Sequence, residues 1–494
     1  MACYYRQNEE TTVTIPKYTN ETSSAGVTYY DIKVRVAKVE WMVERRYRDF
    51  AQLHDKLVED IAISKNLLPP KKLRPLKQNI LLVGNKQPAF PEQRREQLEA
   101  YLQELLIYFR TELPRALAEF LDFNKYDIIY LLQDLAKLFD ESGDALLSSK
   151  KEYNLSALEV FAISERLSLP CPPNLDRDGK YDFSHVLGFC TQLVALVVTP
   201  VKDNASYAQD YNTVDVPIGR SNIIPNRLNF NLNAFRNLKT LKFSALSTEN
   251  IVDIELLKPT LQTICVHNTT IQNICQVLLC DNLHKYCDVP SLLPEAIRPS
   301  SATNGSILIS TDAWQELTDL DVTGNLLTQI DGSVRTAPKL RRLMLEQNRI
   351  RVVQNLDELP HLQLLSLSGN LIAECVDWHL TMGNLVTLEL AQNKLKSLKG
   401  LRKLLSLVNL DLSCNQIEDL EEVDYVANLP LLESLRLTGN PLAGSVDYRP
   451  RVLARFHERA VEISLDNERG SQQELDTALV LSALLQLKQR QCQK

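Results

Sequence analysis

Apolar residues in the C-terminal part of the chain recur in one pattern, L-x-x-L-x-L-x-x-N. Leu317, Leu320, Val322 and Asn325 open the run, and Leu432, Leu435, Leu437 and Asn440 close it. Asn348, Asn370, Asn393 and Asn415 mark the copies between, so successive asparagines lie 22 to 25 residues apart. Another aliphatic follows each asparagine two positions later, from Leu327 to Leu442. The L-x-L centre predicts a short strand with its leucines on the inner face. The asparagine can bond the backbone of the turn that follows. One unit cannot bury its apolar face alone, but a stack can. Three upstream copies keep the leucine spacing and lose the asparagine: Leu193, Leu196 and Val198; Leu238, Leu241 and Phe243; Leu261, Ile264 and Val266. Between about 270 and 312, Pro290, Pro294, Pro299, Asn304 and Gly305 interrupt the period and predict an exposed loop.

Six in-phase copies identify residues 313–442 as regular leucine-rich repeats, with 191–312 as irregular repeats carrying a loop insertion. Tyr448, Arg449, Leu453, Phe456, Leu465 and Asp466 then resemble the cap of this repeat class, placed at 443–470, which covers an otherwise sticky strand edge. Residues 471–494 read as a C-terminal helix with Leu475, Ala478, Leu479 and Leu485 on one face, interrupted by Ser482. Residues 124–190 mix helical patterns with a proline-rich break at 170–173 and read as a helical connector. On the repeat sheet, Asp319, Asp321, Arg342, Met344, Glu346, Leu364, Glu389, Asp411 and Arg436 are expected to point outward. Their mixed charge and apolar character suits a protein-binding face. A solvated sheet surface is the alternative.

Residues 1–123 follow a different plan. Segments 11–18, 27–37 and 39–45 are rich in Val, Ile, Thr and Tyr and predict a three-stranded meander. Phe50, Leu53, Leu57 and Ile61 mark one helix, and Leu98, Tyr101, Leu102, Leu105 and Phe109 a second. A proline-rich stretch from Leu68 to Pro91 separates them. The net charge is −7, but the first 123 residues carry 19 basic against 17 acidic side chains. Between Asp60 and Glu92 there is no acidic residue, against Lys65, Lys71, Lys72, Arg74, Lys77 and Lys86. A local basic patch on an acidic protein points to an anionic ligand and away from general nucleic-acid binding.

Three motifs in order resemble a PX (phox-homology) domain. They are Arg46-Tyr47-Arg48-Asp49-Phe50 where the third strand meets the helix, Leu68-Pro69-Pro70-Lys71-Lys72, and Arg94 seven residues before Tyr101. A guanidinium fork at Arg46 can hold a phosphate with two parallel hydrogen bonds. The alternative is that Arg46 simply pairs with Asp49. The resemblance implies that Arg46 takes a 3-phosphate and Tyr47 packs under the inositol ring. Lys72, or Lys71, would meet the 1-phosphate and Arg94 the ring hydroxyls, giving phosphatidylinositol 3-phosphate as ligand. Ile80, Leu81, Leu82 and Val83, flanked by Lys77 and Lys86, could insert into a membrane interface. A loop folded onto its own domain fits them as well.

The ten cysteines include no C-x-x-C pair, and with no apolar leader in the first 26 residues they are expected to be reduced thiols in the cytosol. Cys265, His267, Cys275, Cys280, His284 and Cys287 form one possible metal constellation. Their spacings do not match the usual zinc modules, and Cys265 and Cys275 alternate with aliphatics as core positions do, so no metal and no cofactor is expected. Nucleotide-binding, metalloprotease and serine-hydrolase motifs are missing, so no enzymatic activity is expected. The expected architecture is multidomain: an α+β PX domain, a helical connector, and an α/β repeat solenoid with its cap. The whole order resembles the nischarin (imidazoline-receptor candidate) family. That resemblance implies a cytoplasmic scaffold, peripheral on early or recycling endosomes. It would bind Rac- and Rab-type small GTPases, p21-activated kinases and an integrin α-subunit tail, and restrain cell migration. A phosphatase-targeting subunit and an imidazoline receptor are the alternatives.

Overall fold

In the computed structural model, residues 11–20, 27–61, 63–69, 90–110, 113–149, 152–169, 179–201, 216–279, 313–376 and 378–492 are described. The chain forms two compact units. One comprises Met1–Ser149, Ala157–Cys190 and Val201–Leu228, the other Lys150–Ser156, Thr191–Pro200 and Asn229–Lys494. No helix among the described residues is long and apolar enough to cross a membrane.

The first unit opens with an antiparallel meander of β1 (Thr11–Asn20), β2 (Thr28–Val36) and β3 (Val39–Arg46). Alternation puts Ile32, Val34 and Val36 of β2 and Trp41 and Val43 of β3 in the core. Pro16 cannot donate to a ladder, and the β1–β2 register shifts between Thr14 and Lys17. Ile15 N–H and C=O are instead met by Glu99 (2.7 Å) and Arg95 (2.6 Å). Those two side chains belong to α2 (Phe90–Tyr108), while α1 (Tyr47–Ile61) follows β3 without a loop. Phe50, Leu53 and Leu57 of α1 are buried at helical spacing, each stabilising by about 1.5–3 kcal/mol. Ile61 ends the stripe and is exposed. Leu98, Tyr101, Leu102 and Leu105 of α2 close the same core, with Phe109 just past the helix end.

Two departures from the sequence reading appear in the middle of the chain. Residues 216–228 were expected among irregular repeats. Instead they belong to the first unit, where Met42 N–H donates to Arg220 C=O (2.9 Å) and Asn222 N–H to Glu40 C=O (3.1 Å). This segment covers the free edge of β3, a pairing between positions far apart in sequence. Within the expected connector, β4 (Tyr153–Ser156) is a strand of the second unit's sheet, with no copy of the leucine pattern to announce it. Helices Ile128–Ser149, Ala157–Ser168 and Phe183–Gln192 make up the rest, with Phe139 and Phe189 stacked at 4.0 Å.

The second unit is a sheet of twelve described strands in sequential order, parallel until its last hairpin. From β4 it runs through the irregular copies β5 (Ala195–Thr199), β6 (Thr240–Ser244) and β7 (Thr263–His267). The regular strands are β8 (Asp319–Asp321), β9 (Arg342–Met344), β10 (Leu364–Ser366), β11 (Thr387–Glu389), β12 (Asn409–Asp411) and β13 (Ser434–Arg436). Every repeat leucine is buried. Each asparagine ties its own turn to the coil before it. Asn370 Nδ2 donates to Leu345 and Leu367 carbonyls (both 2.9 Å) while its Oδ1 accepts from Ile350 N–H (2.9 Å). The position before each asparagine is left-handed, with φ of 72° at Gly324, 52° at Gln347 and 76° at Gly439. Asn325 reaches across the insertion to Val266 C=O (2.7 Å), and Trp314 Nε1 donates to Leu278 C=O (3.2 Å).

The edge is closed by β14 (Ser464–Leu465) and β15 (Glu468–Arg469), with Tyr448 donating to Asp466 (2.9 Å) and Arg449 to Glu474 (2.7 Å). The final helix, Gln472–Cys492, corrects the expected stripe. Ala478 is buried, but Leu479 is 72% exposed. Ser482, expected to weaken that face, lies on it and is 2.7 Å from His457 Nδ1.

Asn393→Ala removes donors to Leu367 and Leu390 carbonyls and the acceptor of Ile372 N–H. A loss of about 1–3 kcal/mol is expected, read as a lower urea midpoint at unchanged slope.

Candidate phosphoinositide site and repeat face

The junction of β3 and α1 brings three of the expected lipid-site residues onto the described structure. Arg46 ends β3, and its backbone N–H donates to Asp49 Oδ2 (3.0 Å). Asp49 thereby satisfies an exposed donor at the start of α1, where a carboxylate is also favoured by the helix dipole. The Arg46 guanidinium leans on the same carboxylate, Nε to Oδ1 at 3.4 Å, with its side chain 41% exposed. A pair so placed is worth little in water, so the guanidinium can be drawn away by a phosphate.

Tyr47 starts α1 and donates its hydroxyl to Pro69 C=O at 2.6 Å, tying the helix to the entrance of the proline-rich stretch. Arg94, from the first turns of α2, is only 7% exposed. Its guanidinium lies 4.7 Å above the Tyr47 ring centre, a cation–π stack. Burial pushes the Tyr47 and Tyr30 phenols above their ordinary value, against the opposing pull of Arg94. Both stay protonated donors at neutral pH. Two residues outside the motifs complete the support. His54 is buried between Tyr101 Oη (3.3 Å from Nδ1) and Lys65 C=O (3.2 Å from Nε2). Nothing in the motif spacing singles out His54, which the apolar stripe of α1 passes over. Lys71, Lys72, Lys77, Lys86 and the apolar run Ile80, Leu81, Leu82 and Val83 lie outside the described residues.

The repeat face differs from its expected form at one end. Asp319 does not point freely outward: it is 7% exposed and ion-paired with Arg342. Asp321 turns toward His267, with 2.7 Å between Oδ2 and Nε2. Further along, Glu346 accepts from Ser366 (2.8 Å) and Asp411 from Arg436 (3.1 Å). Met344, Leu364 and Glu389 are half-buried between these pairs. The sheet presents charges that are ion-paired at Asp319–Arg342, Asp321–His267 and Asp411–Arg436, with an apolar patch at Met344 and Leu364.

Comparison with known proteins agrees with this division. Residues 34–124 match the PX domain, 315–372 the leucine rich repeat, and 383–425 a two-copy leucine rich repeat family. Sorting nexin-24 of Rattus norvegicus and of Mus musculus are each 34% identical over 112 residues, 22% of this chain and 59% of the relative. The chain thus spans less than two thirds of the length of these curated relatives. Among solved structures, an internalin (inlF) from Listeria monocytogenes aligns at 16% identity and TM-score 0.34, over 52% of this chain and 65% of that one. The TLR13–ssRNA13 complex aligns at 18% and 0.32, over 52% and 30%. The chain carries an N-terminal PX domain followed by leucine-rich repeats, domains that are typically non-enzymatic binding modules.

Tyr47→Phe keeps the ring under Arg94 and deletes the bond to Pro69. A loss of about 0.5–1.5 kcal/mol in thermal or urea unfolding is expected, with phosphate affinity reduced less than in a Tyr47→Ala variant.

Proposed function

We propose that the chain is a scaffold directed to endosomal membranes by phosphatidylinositol 3-phosphate. It presents its repeats to Rac- and Rab-type GTPases, p21-activated kinases and an integrin α-subunit tail, as in the nischarin family it resembles, and so restrains cell migration. The observation that supports the lipid reading best is the junction itself. Arg46, its side chain 41% exposed, directly precedes Tyr47, whose ring carries the buried guanidinium of Arg94. A phosphorylated inositol offers a dianion to the fork of Arg46 and ring hydroxyls as acceptors to a guanidinium such as Arg94. Lys71 and Lys72 would add charge to the same headgroup. Early or recycling endosomes follow from the choice of lipid. No observation on the described residues favours the phosphatase-targeting or imidazoline-receptor alternatives.

Flotation with vesicles carrying single phosphoinositides tests the lipid half. Wild type is expected to float with the 3-phosphate, and Arg46→Ala to lose roughly tenfold to hundredfold in affinity, with Arg48→Ala, an exposed neighbour, as control. Equal flotation of wild type and Arg46→Ala would reject the assignment. For the repeats, GTP-loaded Rac or Rab is expected to bind the wild type and to bind Leu364→Glu at least about tenfold more weakly. Binding that ignores nucleotide state contradicts the GTPase reading.

A further inference from the structure

The cysteine spacings gave no zinc module, but the repeat sheet assembles a different set. Among the described residues, Cys265, His267 and Asp321 bring their ligand atoms within 4.8 Å of one another. We propose that these three side chains form a site for a zinc-type divalent cation where the last irregular repeat meets the first regular one.

The backbone fixes the arrangement. Cys265 and His267 are two apart on β7 and share a face, and Asp321 on β8 is the register partner of Cys265. Three ligands from two hydrogen-bonded strands are held without loop closure, the pre-organisation a metal site needs. Sulfur, imidazole nitrogen and carboxylate oxygen together suit zinc better than magnesium or calcium. Three protein ligands leave the fourth tetrahedral position open toward solvent or a bound protein.

Three further observations point to a cation. His267 Nε2 is buried and faces Asp321 Oδ2 at 2.7 Å, so imidazole and carboxylate already converge on one point. Asp321 Oδ1 is held by the Thr323 hydroxyl (2.6 Å) and N–H (3.1 Å), which orients the carboxylate and turns Oδ2 toward His267. The nearby cations are already matched: Lys242 pairs with Glu152 and Arg342 with Asp319. Burial, reinforced by Asp321, pushes the Cys265 thiol up to about 11, so a bound cation would have to displace its proton. Tetrahedral bonds of ordinary length place ligand atoms roughly 3.3–3.8 Å apart, so the set must adjust by about 1 Å. The His267 side chain, 37% exposed, has room to supply that movement.

The test is cobalt titration of the chelator-treated full chain. Wild type is expected to develop a near-ultraviolet thiolate-to-cobalt band and visible bands of four-coordinate cobalt, saturating at about one equivalent and bleached by zinc. His267→Gln and Asp321→Asn should each lose these bands or weaken apparent affinity by roughly tenfold or more. Both replace partly exposed side chains, and circular dichroism melts verify their fold. Cys265→Ser should abolish the thiolate band. Absence of that band in wild type, or its survival in both His267→Gln and Asp321→Asn, overturns the site.

Discussion

A backbone or side-chain polar group taken out of water and left unpaired costs on the order of 1–3 kcal/mol, and much of this chain's layout follows from avoiding that cost. A short parallel strand leaves its turns with donors and acceptors that stacking buries. The repeat asparagines meet them from inside, each spanning two coils, as Asn348 does between Val322 and Glu346. The same constraint shapes the PX unit. Where Pro16 breaks the β1 ladder, Glu99 and Arg95 pair with Ile15, and Trp41 Nε1 donates to Leu121 C=O at 2.8 Å. At the end of the sheet Arg459 supplies Leu429 and Leu432 carbonyls, both at 2.5 Å, from the cap.

Against that background the two candidate binding places have something in common. Each gathers groups of matching chemistry from elements that the fold holds together. At the PX junction Arg94 of α2 lies buried on the face of Tyr47, one position along the chain from Arg46. On the repeat sheet the His267 nitrogen of β7 meets the Asp321 carboxylate of β8. The long regular face is different. Two of its ion pairs, Asp319 with Arg342 and Asp411 with Arg436, run between neighbouring strands, and a partner would gain from the apolar ground at Met344 and Leu364 and from shape.

What could be read from the residues depended on whether a contact repeats or is local. The asparagine ladder was legible because one position recurs in phase through six coils. The meander and both PX helices were legible from periodicity, as was the strand–helix junction at Arg46 and Tyr47. The strand Tyr153–Ser156 was not, since four residues carry no copy of the leucine pattern. Nor was the return of residues 216–228 to the edge of β3, because edge pairing is made by backbone and leaves little trace in side chains. The set of Cys265, His267 and Asp321 has no legible ligand spacing because its third member follows the insertion expected between about 270 and 312. Only the register of β7 and β8 puts it opposite Cys265.

The account turns on Arg46 and Arg94 acting on one headgroup. Their side-chain Nε–Hε signals, followed by nuclear magnetic resonance during titration with soluble short-chain phosphatidylinositol 3-phosphate, report on that directly. Both signals should shift together and saturate at the same concentration, and the 4-phosphate isomer should leave them nearly unmoved. Arginine signals that stay in place while the lipid binds would contradict it.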